Sequence, residues 1–253
     1  MARVTVLIST MGDRINNIAL PCFRSDVRYV VVHQQPIVPF CFGRDDVLYI
    51  ASFEKGLSKS RNIAIKNCFT KYGFICDDDV VIDVQELIRA VDVAESNGAD
   101  ILACRFLYSD GSMNSYPADG VRHGIKSVAS VCSIEILIKI DSLHAKSICF
   151  DERFGLGTSL PSGEEFIFLT DALRSGLEIR HSSCVVCVHP PVSSGMDFFS
   201  TKEKVLAKRY MLVRVFGPWA PFVMLVFLIK KSKVLLQNKR FIFFAKTFLS
   251  IKG

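Results

Sequence analysis

Short runs of β-branched and aliphatic residues recur along the first three quarters of the chain with helix-forming stretches between them. That alternation restricts the chain to a wound α/β sheet, because each strand must be followed by a helix that covers its face. Val4 to Ile8 forms a first buried strand ending in Ser9-Thr10-Met11-Gly12, followed by a helix to Leu20 that Pro21 stops. Strands are expected from Val27 to Val32 and from Val47 to Ala51, then a helix from Ser58 to Phe69. Gly73-Phe74-Ile75-Cys76 is a fourth strand that runs straight into Asp77-Asp78-Asp79, so three carboxylates sit at a strand's C-terminal end. A helix from Val84 to Ser96, closed by Asn97-Gly98, and a strand from Ile101 to Phe106 complete the wound half.

From Leu107 to Gly124 the composition shifts to Asp-Gly, Ser, Asn and Pro, a loop region without helical periodicity. A β-rich run, Ser127 to Ile140, leads through a short segment to Phe150-Asp151-Glu152-Arg153-Phe154-Gly155. Glu164 to Ser175 is a helix ended by Gly176, and Glu178 to Val188 a final strand. The expected organisation is a body over residues 1–198, with halves meeting near residue 106, and a tail over 199–253.

The tail differs from the body in charge. Residues 1–200 hold 19 basic and 24 acidic groups, net −5, whereas the last 53 hold 12 basic groups and one acidic group, net +11. Ser200-Thr201-Lys202-Glu203 has the pattern of a capping box with Ser200 as N-cap, and Gly217-Pro218 should break the helix that follows. The uncharged run Val215 to Ile229 is 15 residues, about 22 Å as a helix and short of the roughly 30 Å hydrocarbon core. With Lys230, Lys231 and Lys233 beside it, this segment suits the surface of an anionic membrane, and a hydrophobic hairpin packed on the body is the alternative. Nucleic acid is not the expected partner, because the body is acidic and the basic groups lie among Phe and aliphatic residues. Nine scattered cysteines and no leader-like apolar stretch behind Met1 suggest a reducing cytoplasm. Cys184 and Cys187, three apart on a strand, should point to opposite faces as reduced thiols.

Three features could carry chemistry. Adjacent Asp77, Asp78 and Asp79 repel one another unless a cation is present, and hard cations such as Mg²⁺ or Mn²⁺ take oxygen ligands and are completed by substrate phosphates. Gly56-Leu57-Ser58-Lys59-Ser60-Arg61-Asn62 opens a helix whose glycine, serine cap and free N–H groups could meet an anion. Glu164 and Glu165 open another helix, about 100° apart around its axis, so at most one faces a given substrate atom as a base. His189, ending the last strand, could add a metal ligand.

Taken in order, Ser9-Thr10, the Gly56 to Asn62 segment, Asp77-Asp78-Asp79, Phe150 to Gly155, Gly163-Glu164-Glu165, His189-Pro190 and Ser193-Ser194-Gly195 resemble the inverting family 2 nucleotide-sugar glycosyltransferases of the GT-A fold, in their bacterial surface-polysaccharide branch. The resemblance covers roughly residues 3–195. It implies a GT-A-like, mostly parallel sheet flanked by helices, with the basic apolar helical tail appended. It implies that Ser9 and Thr10 line a nucleoside pocket, that Arg61, Asp77 and Asp78 approach the nucleotide, and that Asp79, with Asp77 and His189, holds Mn²⁺ or Mg²⁺. Glu165 occupies the place of the family's base, where Asp is usual, and Glu164 is its rival. The implied reaction moves a sugar from a nucleoside-diphosphate sugar to a hydroxyl of a saccharide or lipid-linked saccharide, at the cytoplasmic face of a membrane. Two other readings stay open. One is a catalytically inactive binding or assembly protein, which the Glu-for-Asp difference permits. The other is a nucleotidyltransferase, although the first strand is not followed by a glycine-rich phosphate loop.

Overall fold

The computed structural model describes residues 1–191 and 197–249, so Ser193, Ser194 and Gly195 lie outside the described residues. Its centre is an eight-stranded sheet. The strands are β1 (Val4–Met11), β2 (Val27–Gln34), β3 (Val47–Ser52), β4 (Tyr72–Asp77), β5 (Val81–Ile82), β6 (Ile101–Tyr108), β7 (Ile136–Lys139) and β8 (Ile179–His189). They lie in the order β3-β2-β1-β4-β7-β6-β8-β5. β3, β2, β1 and β4 are mutually parallel, β7 is antiparallel to both of its neighbours, and β6 pairs parallel with β8. β1 is buried along its length except at Met11, which explains why its sequence is a continuous apolar run rather than an alternating one.

Alternation along the strands divides the core in two. Val4, Val6 and Ile8 of β1 pack with Phe74 and Cys76 against α2 (Val84–Asn97), whereas Leu7 and Ile75 face the opposite side. That second side is covered by α1 (Leu57–Lys66), α3 (Ile140–Lys146) and α4 (Glu164–Arg174). The α2 helix begins at Asp83, whose carboxylate accepts from the N–H groups of Gln85 and Glu86, and ends at Gly98 in the left-handed region.

Several expected elements differ. The segment after β1 is a single tight 3-10 stretch over Gly12–Asn17 rather than a helix to Leu20, because it buries only Ile15 and has no capping side chain. The Ser127 to Ile140 run is not one strand: it forms two 3-10 turns, Val128–Ser130 and Ser133–Glu135, and only then the short β7. Cys184 and Cys187 share the α2-side core instead of facing apart, because register shifts between β6 and β8 interrupt the alternation.

The tail forms α5 (Lys202–Phe216), α6 (Ala220–Gln237) and α7 (Phe241–Leu249). Thr201, not Ser200, caps α5, accepting from the Lys204 N–H at 3.4 Å, while the Ser200 hydroxyl is engaged by the Lys204 ammonium. Gly217 and Pro218 form one 3-10 turn that passes directly into α6, since proline is tolerated in a helix's first turn. The resulting stretch Lys202–Gln237 is long and apolar enough to cross a membrane by length and composition, and 28% of its apolar window is buried. Val205, Met211, Leu212 and Val215 share a core cluster with Phe166 and Ile167 of α4. Arg214 pairs with Asp171 at 2.7 Å and Asp151 at 3.4 Å.

Candidate functional site

β1 lies between β2 and β4: the chain runs from β1 outward to β2 and β3 and then returns through α1 to β4 on the other side of β1, and a crevice opens at the strand C-termini where the order reverses. Ser9 is in register with Asp77 there. Asp77 continues the alternation of Gly73 and Ile75, which sends it to the face of α1.

Arg61 of α1 is the hub of that face. It is 1% exposed, and its guanidinium reaches Asp77 Oδ1 at 3.2 Å, Glu165 Oε1 at 3.2 Å and Glu164 Oε1 at 3.3 Å, with the Phe150 ring beneath it at 5.5 Å. Burial opposes its charge, but Asp77, Glu165 and Glu164 outweigh that effect and hold it protonated above the ordinary arginine range. Glu164 is buried as well: burial and the neighbouring Glu165 push its carboxyl up to about 7 against the pull of Arg61. Its Oε2 is buried without a partner among the described residues. Gly155, at φ +104°, lies against this carboxylate, where a Cβ would stand 3.3 Å from Glu164 Cδ and 3.0 Å from Ser58 Oγ. Glu165 is the more accessible of the pair, with about a quarter of its side chain exposed.

The second and third aspartates are held differently. Asp78 is 5% exposed, accepts from the Thr10 hydroxyl at 2.7 Å, and is clasped by Arg14 from the 3-10 stretch after β1. The same guanidinium reaches Asp79 Oδ2 at 3.1 Å. The hydrogen bond to Asp78, partly offset by burial, raises Arg14 above its ordinary range. Asp79 Oδ1 lies 3.6 Å from Nε2 of His189, at the end of β8. Repulsion within the acidic trio is therefore relieved by two arginines, Arg61 for Asp77 and Arg14 for Asp78, and Asp79 is left half-exposed beside an imidazole.

The structure thus brings Arg61, Asp77, Glu164 and Glu165 together in one group, and Asp78, Asp79, Thr10 and His189 in another. Among the described residues no three His, Cys, Asp or Glu side chains are arranged to hold one metal ion, so Asp77 does not join Asp79 and His189 in a ligand set. Ser9 Oγ accepts from Ser60 Oγ at 2.9 Å and is buried beneath α1. The start of α1 is not an open anion site. Its cap is Gly56, whose N–H donates to Gln34 Oε1, Leu57 N–H donates to Leu156 O, and Lys59 pairs with Glu54. Ser58, expected as a cap, lies within the helix and donates to Phe154 O at 2.6 Å. Two participants had not been identified from sequence. Arg14 lies in a stretch with no motif, and Ser133, which donates to Asp77 Oδ2 at 3.4 Å, lies in a run that resembles a strand.

Residues 34–146 match the family described as Glycosyl transferase family 2. The fold is also that of a GT-A-like glycosyltransferase. The crystal structure of S. aureus TarS 1-349 superposes with a TM-score of 0.63 at 15% identity, over 85% of this chain and 66% of that one. Its complex with UDP-GlcNAc gives 0.62 at 14%, over 85% and 67%. The family match covers under half of the chain, and the likeness to TarS is one of fold. The chain spans 40% of the longer TarS structure, at 16% identity and a TM-score of 0.62. None of the curated proteins compared matches the sequence. The matched segment contains α1, the acidic trio and Ser133, whereas Glu164 and Glu165 lie beyond it.

Proposed function

We propose that the chain is an inverting glycosyltransferase that moves a sugar from a nucleoside-diphosphate sugar to a hydroxyl of a saccharide or lipid-linked saccharide, as in surface-polysaccharide assembly. The observation that supports the reading is the pairing of Asp79, just beyond β4, with His189 at the end of β8, beside the Arg61 group that joins Asp77 to Glu165 at the start of α4. TarS structures with UDP and UDP-GlcNAc, on the same fold, support a nucleotide-sugar donor.

Within this reading Asp79 and His189 hold the divalent ion. A carboxylate oxygen and an imidazole nitrogen 3.6 Å apart fit as two neighbouring donors of an open shell, and the mixed donor pair suits Mn²⁺ better than Mg²⁺. When bound, the ion offsets the negative charge that develops on the departing diphosphate. Arg14 keeps Asp78 folded back onto Thr10 and also holds Asp79 Oδ2, which leaves Asp79 Oδ1, beside His189, as the oxygen available to an ion. Asp77 faces the nucleoside side of the crevice, with Ser9, Thr10 and Asp78 buried behind it. Glu165 takes the proton of the acceptor hydroxyl as the new bond forms to the anomeric carbon, opposite the breaking bond to the diphosphate. Arg61 orients Glu165 through Oε1, and Glu164, buried behind it, is a positioning residue rather than the base. The tail over 199–253 docks the enzyme on the cytoplasmic face of an anionic membrane. Exposed Trp219, Phe222, Leu225, Val226 and Ile229, adjoining Lys230 and Lys231, support that surface role.

Product analysis with radiolabelled sugar nucleotides tests the reading. Label on a saccharide acceptor, dependent on Mn²⁺, is the expected result. Release of pyrophosphate would indicate a nucleotidyltransferase, and donor binding without any product would indicate an inactive relative.

A further inference from the structure

A cavity of about 300 Å³ lies over Ala103 of β6 and His181 of β8, on the α4 side of the sheet, and is bounded by the loop around Tyr116 and the turns before β7. Its volume is at the lower end of the range for small-molecule sites. It adjoins the β1–β4 crevice through one turn: Ser133 reaches Asp77, while Glu135, two residues on, lines the cavity.

The polar groups around it are largely hydrogen-bonded to one another. Arg105 donates to His181 Nε2 at 3.0 Å and to Pro117 O at 3.0 Å. Glu135 accepts from the Tyr116 hydroxyl at 2.6 Å and from the Cys132 N–H at 2.8 Å, and burial pushes its carboxyl up to about 7. His181 is stacked on Tyr116, and burial together with Arg105 lowers it to about 4, so it is neutral at ordinary pH. Burial also lowers His123. The lining holds no arginine or lysine for a phosphate, and its one carboxylate, Glu135, is already engaged by Tyr116 and the Cys132 N–H. What is left is neutral hydrogen-bonding capacity. His123 is 7% exposed, its Nδ1 meets Ser127 Oγ at 3.1 Å, and its Nε2 is buried without a partner among the described residues. An unsatisfied polar atom of this kind carries a desolvation penalty that a small movement toward a ligand hydroxyl would relieve. Asn114, Ser115 and Ser130 add short polar side chains at the exposed mouth.

We propose that this cavity is a subsite for one uncharged sugar ring of the acceptor, held by hydrogen bonds and positioned beside the crevice. The inference rests on the glycosyltransferase reading for the word acceptor, but not for the ligand class.

The test is imidazole NMR of the full chain with labelled histidine, titrated with glucose, galactose and N-acetylglucosamine and, separately, inorganic phosphate. Saturable shifts of the His123 and His181 signals are expected with at least one neutral sugar and not with phosphate. Ser130→Trp, at the exposed mouth, should weaken that response at least about tenfold while leaving UDP-dependent thermal stabilisation unchanged. Unmoved imidazoles, saturation by phosphate instead, or a Trp variant that binds sugar like the wild type would overturn the proposal. A sugar response without any UDP response would keep the subsite and sink the donor reading, and a UDP response without a sugar response would do the reverse.

Discussion

The two sides of the Cys132–Glu135 turn solve the same problem in opposite ways. In the crevice, carboxylates face guanidinium groups: Arg61 serves three of them and Arg14 two. In the cavity beside it, Glu135 pairs with no cation among the described residues and is shifted toward its protonated form by burial, with Tyr116 and a backbone N–H as its partners. The first arrangement suits a ligand that carries and develops negative charge, and the second suits one that carries none. Glu164 combines both, touching Arg61 yet buried enough to rise to about 7.

The largest test of this contrast is Arg61→Met. Removing the hub leaves several carboxylates facing one another in a buried space, and stability should fall by about 3–5 kcal/mol in urea unfolding. Adding Glu164→Gln to that variant should restore part of the loss, and no restoration would mean that Glu164 is not balanced by Arg61. Next in size is Glu165→Gln, which should lower turnover by about 10²- to 10⁴-fold while UDP affinity stays the same. Equal loss in Glu164→Gln with an unaffected Glu165→Gln would exchange the two roles.

Gly163→Ala examines the joint between tail and site. Gly163 has φ +103°, and a Cβ there would lie 2.8 Å from Met211 Sδ of α5, so about 1–3 kcal/mol of destabilisation is expected in thermal or urea unfolding. The smallest effect concerns pH. Glu135 rises from an ordinary 4.5 to about 7 in the folded chain, so the native state binds more protons than the unfolded one between those values, and stability falls as pH rises through that window. Glu135→Gln should flatten this slope by about 1–2 kcal/mol between roughly pH 5 and pH 7, read from urea midpoints. An unchanged slope would remove Glu135 from the contrast.

Much of the crevice was legible because its parts are local. An apolar strand ending in three aspartates places carboxylates at a sheet edge whatever the surroundings, and Gly163-Glu164-Glu165 opens a helix by ordinary rules. What partners those carboxylates was not legible. Arg61 and Glu164 are 103 positions apart, and Arg14 and Asp78 are 64 apart, so only the folded topology brings them together. The segment from Ser127 to Ile140 was misread for a related reason: its apolar residues suit a strand, but Glu135 is buried there by side-chain partners that period-2 patterning does not reveal. The tail's basic, apolar character was plain in the sequence, whereas its packing of Met211 and Val215 onto α4 was one of two alternatives that composition left open.

The central claim is that Asp79, which meets Arg14 through Oδ2 and turns Oδ1 toward His189, holds the ion through which the crevice takes a diphosphate. Isothermal titration of UDP into the full chain, with and without Mn²⁺, measures it directly. The account predicts binding that requires Mn²⁺ and is lost in Asp79→Ala, while Asp79→Ala keeps its fold. UDP bound equally well without Mn²⁺, or by the Asp79→Ala variant in its presence, would contradict it.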